Sequence, residues 1–247
     1  MTQLTPTQAE FVDSVLSLRP RVATFDCDGT LWSGDAGEGF FTWELEQGLV
    51  SDEIVRWARE RFAEYRAGNV PEEVMCGEMV TMHRGLPEAV VQRACDTYFP
   101  QAIGGNIFPE MRELVQRLRE SGCDVWAVSA SNQWIIRSGM KHFGIPQNRI
   151  LSSEAAVENG TVTDRLVRVP SGPGKPEAIR SVLNSPPDCA FGNAIWDREM
   201  LAMSNKPFAV NPNPDLKDIA LRNGWTVYQP VVSSQPPAVG QTRRLHS

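Results

Sequence analysis

The chain has 247 residues, 24 of them Lys or Arg and 30 Asp or Glu, for a net charge of −6. An acidic balance argues against nucleic acid or an anionic membrane as the main partner. The length can bury a large core without disulfide staples, and the five scattered cysteines, with no C-x-x-C pair, read as reduced thiols in a cytoplasmic protein. Three histidines, none beside a cysteine pair, leave zinc and a Ser-His-Asp hydrolase without support.

Residues 6–18 predict an amphipathic helix, with Phe11, Val15 and Leu18 on one face and Pro20 ending it. Val22–Phe25 is a short apolar run that stops at Asp26-Cys27-Asp28-Gly29-Thr30, so a buried strand would carry two carboxylates at its carboxyl end, where open α/β sheets bind ligands. Acids this close repel unless a cation lies between them or one holds a proton. A divalent cation and a phosphate-handling site would account for the pair, and an ordinary Asp/Gly turn is the alternative. Gly34, Gly37 and Gly39 then form a stretch that reads as a hinge or as static turns.

Residues 40–99 read as helices only: 40–47; 51–67, started by Ser51-Asp52-Glu53; 71–82, started by Pro71; and 87–98, started by Pro87. A run of helices after the first strand predicts a helical subdomain rather than continued βαβ alternation. The α/β pattern resumes with a helix at 109–120, a strand at 124–128, the polar loop Ser129-Ala130-Ser131-Asn132 and a helix at 134–143. A short strand at 150–151 precedes a hairpin turning on Asn159-Gly160. A loop delivers Lys175 to a helix at 176–183, and strands at 189–191 and 208–210 come next, the first running into Gly192-Asn193-Ala194-Ile195-Trp196-Asp197. A last helix at 215–223 and an edge strand at 225–228 complete the pattern, and a Pro/Ser/Gln-rich tail, 231–247, reads as disordered. No signal peptide and no apolar run of spanning length is visible, so a soluble protein is expected.

Each polar feature has a plainer meaning by itself: Ser129 as a helix cap, Lys175 as a solvated loop lysine, Asp197 as an acid at a helix start. Their order does not. Asp26-x-Asp28-x-Thr30, Ser129 after a strand, Lys175, and Gly192-Asn193 with Asp197 together resemble the four motifs of the haloacid dehalogenase-like superfamily, over residues 21–228. The inserted helices look like the cap of its phosphoserine-phosphatase-like branch. The resemblance implies a Rossmann-like three-layer α/β core with a mostly parallel sheet (1–33 and 105–230) and an all-helical cap (34–104).

It also implies a Mg²⁺-dependent phosphatase of small phosphorylated metabolites, with Asp26 as nucleophile, Asp28 as general acid and base, Ser129 and Lys175 on the phosphate, and Asp26, the Asp28 carbonyl, Asn193 and Asp197 around the metal. Asn193 departs from the pattern, which has Asp there. That leaves a second reading, a weak or inactive relative that binds a phosphorylated ligand or partner. Asp35 lies near the position of the acid that holds the substrate amine in phosphoserine phosphatases, but Met79 stands where their carboxylate-binding Arg is expected. Asp35, Glu38 and Trp32 are therefore the candidates for substrate specificity, through an amine or quaternary ammonium, with Trp32 as simple core the alternative. Gly172-Pro173-Gly174-Lys175 lacks the spacing of a P-loop, and residues 26–35 lack the Gly and Glu of a calcium loop. Nothing in the sequence fixes the oligomeric state.

Overall fold

The computed structural model describes residues 4–230. The expected disordered tail, 231–247, lies outside the described residues. Seven strands form one sheet in the order β4-β3-β2-β1-β5-β6-β7, all parallel except β4 against β3. Strand β1 (Val22–Phe25) sits between β2 (Asp124–Asn132) and β5 (Cys189–Gly192), with Phe25 paired to Ala127 on one side and Phe191 on the other. The polar residues that follow Phe25, Val128 and Phe191 on the three strands thus come to the same edge.

The alternation of side chains along the strands builds two cores. Ala23, Phe25, Val125, Ala127, Phe191 and Phe208 face one way, against α1 (Pro6–Ser17), α6 (Pro109–Glu120) and α7 (Gln133–Met140), whose Val12, Leu114 and Ile136 are buried there. Trp126, Val128, Leu151, Ala190 and Ala209 face the other way, against α8 (Gly174–Arg180), α9 (Arg198–Met203) and α10 (Pro214–Arg222). Strand β6 (Lys206–Val210) and β7 (Thr226–Tyr228) complete one edge. The result is the expected three-layer α/β core.

Between β1 and α6 the chain forms four more helices: α2 (Ala36–Gln47), α3 (Asp52–Arg66), α4 (Glu72–Thr81) and α5 (Glu88–Ala102). Phe41, Leu45, Ala58, Val70, Met75 and Met82 give the first three a core of their own, while Phe40 of α2 and Val91, Cys95 and Phe99 of α5 join the main one. A buried pair ties α2 to the end of α4: His83 Nε2 lies 2.6 Å from Glu44 Oε2, and the His83 ring meets Trp134 edge-on. The two ends of this helical stretch meet, where Ser33 N donates to Asn106 O (3.0 Å) and Phe108 N to Leu31 O (3.1 Å).

Three local expectations are corrected. Helix α2 starts at Ala36, capped by Asp35, so Gly37 and Gly39 lie inside it instead of forming a loop. A Cβ at Gly37 would come 2.3 Å from Ser131 Oγ, and one at Gly39 2.2 Å from Tyr98 Oη, so close packing accounts for both glycines. Strand β2 continues through Asn132, with a register irregularity after Val128, where the sequence predicts a polar loop. The short strand at 150–151 and the first arm of the hairpin are one strand, β3 (Ile150–Glu158), which pairs parallel with β2 and then antiparallel with β4 (Thr161–Arg168). All five cysteines are free. Among the described residues, no helix is long and apolar enough to cross a membrane.

Candidate active site

Asp26 is the first residue past β1, and its N–H still pairs with Phe191 O (2.9 Å). This fixes its side chain at the mouth of the sheet. Its Oδ2 accepts from Thr30 Oγ1 (2.8 Å) and its Oδ1 from Lys175 Nζ (2.8 Å). The loop that allows this turns at Gly29 (φ 74°), where a Cβ would fall 1.9 Å from Asn193 Nδ2. Only glycine suits both the backbone angle and the approach.

Lys175, in the first turn of α8, is 2 % exposed at its side chain. Its ammonium has three protons and three partners: Asp26, Val128 O (2.9 Å) and Asp197 Oδ1 (2.6 Å). Burial disfavours its charge, but Asp197 and Asp26 outweigh that and hold it above the ordinary lysine range. Asp197 also accepts from the N–H groups of Asn193 and Ala194 at Oδ2, both at 2.9 Å, and so shapes the loop after β5. Burial, with the Asp197 charge, pushes Asp26 up to about 6, against the lowering by Lys175.

Asp28 has different surroundings. Its Oδ1 accepts from Trp32 Nε1 (2.8 Å) and Ala36 N (2.6 Å), and its Oδ2 from Ser131 Oγ (2.7 Å). Burial first, then the nearby Asp35 charge, raise it to about 8. Two carboxyls two residues apart are thereby pushed to different values, the pattern expected where one acts ionised and the other as an acid.

A cavity of about 540 Å³ opens over these groups. Asp26, Asp28, Ser129, Lys175, Asn193 and Asp197 line it, as do Asp35 and Glu38. Ser129 accepts a hydrogen bond from Ser131 N (3.1 Å), which leaves its own proton available. The outer wall comes from the inserted helices: Phe41, Phe62, Tyr65, Glu72, Met75 and Met79. Glu72 receives the Ser171 hydroxyl (2.9 Å), joining α4 to the Lys175 loop, and burial raises it to about 7. Glu38 pairs with Arg66.

Trp32 does not line the cavity. It is fully enclosed, edge-on to Phe99 with ring centroids 5.0 Å apart, and reaches the site only through its indole N–H on Asp28. Among the cavity residues that sequence reasoning does not assign to the site are Glu72, Ser131 and Asn211, whose Nδ2 donates to Gly29 O (3.0 Å). Ser131 belongs to a stretch whose polarity is a signal in itself; Asn211, in Asn211-Pro212-Asn213-Pro214, reads only as the lead into a helix.

A hard divalent cation here would meet oxygen donors only. Among the described residues no group of three His, Cys, Asp or Glu is placed to hold a metal, and Asn193 brings an amide oxygen to the cavity rather than a carboxylate. The Asp26 carboxylate, the Asp28 carbonyl and the Asn193 amide oxygen, which has no protein donor among the described residues, still make a set that suits Mg²⁺.

The sequence profile of the haloacid dehalogenase-like hydrolases matches residues 23–202. A phosphoserine phosphatase of Mycobacterium tuberculosis is 24 % identical over 233 residues, which cover 83 % of this chain and 69 % of that protein. A histidinol-phosphatase of Neisseria meningitidis is 24 % identical over 217 residues, covering 83 % and 97 %. Among solved structures, a Bordetella pertussis protein of unknown function superposes with a TM-score of 0.75 at 19 % identity, covering 84 % of this chain and 97 % of its own. A phosphoserine phosphatase with a phospho-aspartyl intermediate analogue gives 0.57 at 16 % identity, covering 86 % and 94 %. The two structures share the fold, and the profile extends over most of the chain. On these grounds the chain belongs to the haloacid dehalogenase-like hydrolases.

Proposed function

We propose that this hydrolase is a Mg²⁺-dependent phosphatase that acts on a small phosphorylated metabolite through an aspartyl-phosphate on Asp26. The observation that carries this reading is the contrast between the two acids. Asp26 sits beside an ammonium and a hydroxyl, as a nucleophilic carboxylate needs; Asp28, two residues on, is held toward its protonated form. Asp26 would attack phosphorus while Asp28 protonates the departing oxygen; Asp28 would then take a proton from the water that hydrolyses the intermediate. Ser129 has a hydroxyl proton to offer a phosphoryl oxygen, and Lys175 balances the charge of Asp26 and Asp197. Mg²⁺, held by Asp26, the Asp28 carbonyl and Asn193, would supply positive charge to the phosphoryl group. Asp197 is already committed to Lys175 and two backbone N–H groups, so its larger part in this reading is to position them.

We read residues 34–104 as a cap over a core of 1–33 and 105–230, since α2, α3 and α4 have their own cluster and form the outer wall of the cavity. That wall bears on the substrate. Asp35, Glu38 and Glu72 line it, and among the described residues Arg66, paired with Glu38, is the one cation besides Lys175. No unpaired cation is there to hold a substrate carboxylate, which favours a phosphorylated amine over phosphoserine. The five free thiols suit a reducing cytoplasm.

The test is phosphate release from phosphoserine, phosphoethanolamine, phosphocholine, glycerol phosphate and sugar phosphates, with Mg²⁺ or EDTA, for the parent protein and Asp26→Asn. Turnover requiring both Mg²⁺ and Asp26 is expected, fastest on the amines. Mg²⁺ binding with no turnover on any ester would instead favour a binding protein, the reading that Asn193 supports.

A further inference from the structure

We propose that Ser131 is a positioning residue that presents one oxygen of Asp28, Oδ2, for proton transfer to the leaving group. The proposal rests on the phosphatase reading and goes beyond it, because it says which oxygen carries the proton and what holds it.

Donors and acceptors around Asp28 distinguish its two oxygens. Oδ1 receives the Trp32 indole N–H at 2.8 Å and the Ala36 backbone N–H at 2.6 Å. Both groups can only donate. A proton on Oδ1 would point at one of them, so the acid form of Asp28 carries its proton on Oδ2. The partner of Oδ2 is the Ser131 hydroxyl at 2.7 Å. A hydroxyl donates and accepts. Of the three groups holding Asp28, Ser131 alone can also accept a hydrogen bond, so it alone can stand beside the oxygen that carries the proton.

Ser131 is itself held. Its N–H bonds to Ser129 Oγ at 3.1 Å, and the first turn of α2 packs on its hydroxyl so closely that a Cβ at Gly37 would be 2.3 Å from Oγ. Asp28 and Ser131 both line the cavity, and Oδ2, with one partner against the two on Oδ1, is the oxygen left with room for an ester oxygen.

In the first step a bond forms between an Asp26 oxygen and phosphorus, and the bond from phosphorus to the ester oxygen breaks. Its electron pair stays on the ester oxygen, which takes the proton from Asp28 Oδ2. Negative charge appears on Oδ2 as the proton leaves, and the Ser131 O–H bond to it becomes charge-assisted. The gain arises as the transition state is reached, so it raises the rate. In the second step water attacks phosphorus and gives its proton back to Oδ2. The bond between phosphorus and Asp26 breaks, releasing phosphate and the Asp26 carboxylate.

A leaving group that departs as a stable anion needs no such proton. The experiment therefore compares p-nitrophenyl phosphate, whose leaving anion is weakly basic, with phenyl phosphate, whose leaving anion is strongly basic. The readout is kcat/KM, which covers steps through the first phosphoryl transfer. For Ser131→Ala, kcat/KM on phenyl phosphate is expected to fall about 10- to 100-fold, and on p-nitrophenyl phosphate by less than about threefold. Gly37→Ala provides a second approach. Its methyl would meet the Ser131 hydroxyl at 2.3 Å and Cβ at 2.9 Å and push the side chain aside, so it should give the same selective loss in the ratio of the two kcat/KM values, together with a lower melting temperature. If the ratio of the two kcat/KM values is unmoved in both variants, whether the rates fall together or stay, the proposal is overturned. A parent protein that hydrolyses neither these esters nor any of the phosphorylated metabolites named above overturns the phosphatase reading, and the proposal with it.

Discussion

Replacing Lys175 by Met keeps the volume of a side chain that is 2 % exposed and removes its charge. Three acceptors lose their donor: Asp26 Oδ1, Asp197 Oδ1 and Val128 O, at 2.8, 2.6 and 2.9 Å. Asp26 keeps Thr30, and Asp197 keeps two backbone N–H groups, but no cation remains between two enclosed carboxylates. Removing one partner of a buried ion pair costs about 3–5 kcal/mol. For a chain of this size each kcal/mol lowers the melting temperature by about 2–4 °C, so a drop of roughly 6–20 °C is expected. The pH effect has a definite sign. Asp26 is raised from 3.8 to about 6, so the folded state binds more protons than the unfolded one between those values and loses stability as pH rises through them. Lys175 lowers Asp26, and without it the window extends upward. The lysine's own raised value means that its contribution is fully present below the ordinary lysine pKa. The deficit of Lys175→Met should therefore be larger near pH 8 than near pH 5.5 in calorimetric scans. The double variant Lys175→Met/Asp197→Asn should recover at least about 1 kcal/mol. A single variant that melts within about 2 °C of the parent at both pH values would refute the reasoning.

Asn193→Asp adds a negative charge to the expected cation site and should tighten Mg²⁺ binding by on the order of tenfold in titration calorimetry; unchanged affinity would remove Asn193 from that site. The pH profile of kcat/KM should be a bell. It rises as Asp26 ionises, at or below about 6 because a bound cation can only lower it, and falls near about 8 as Asp28 loses its proton. A rate that keeps rising past that upper value would count against Asp28 as the acid. Glu44→Leu leaves His83 enclosed without its partner and should cost about 3–5 kcal/mol in urea denaturation, whereas Glu44→Leu/His83→Phe should regain most of it; equal losses would show that the pair is not coupled.

The core is legible in the sequence because the parallel strands start as apolar runs that meet polar residues, so Val22–Phe25, Asp124–Val128 and Cys189–Phe191 announce themselves, although the second continues through the polar residues to Asn132. Strand β3 is not. Its first half is buried beside β2 and its second half alternates as one arm of a hairpin, so a single strand carries two patterns. Gly37 and Gly39 are ambiguous for another reason: the atoms that require them, on Ser131 and Tyr98, come from distant parts of the chain. Trp32 shows the same limit. An aromatic next to a motif can face a ligand or the core, and Phe99 and Phe143 settle the matter from outside the window that a local pattern covers.

The shared register of β1, β2 and β5 has a consequence for how such a chain can change length. Phe25 pairs with Ala127 and Phe191, and the polar residues come within a step or two on each strand. One residue inserted into any of the three would move the group beyond it by about 3.3 Å and turn the alternation inside out. Deletion would do the same in reverse. The joints at Ser33 and Asn106, hydrogen-bonded to each other, are under no such constraint. Lineages of this chain should therefore record gained and lost residues between those joints, and almost none in the three central strands.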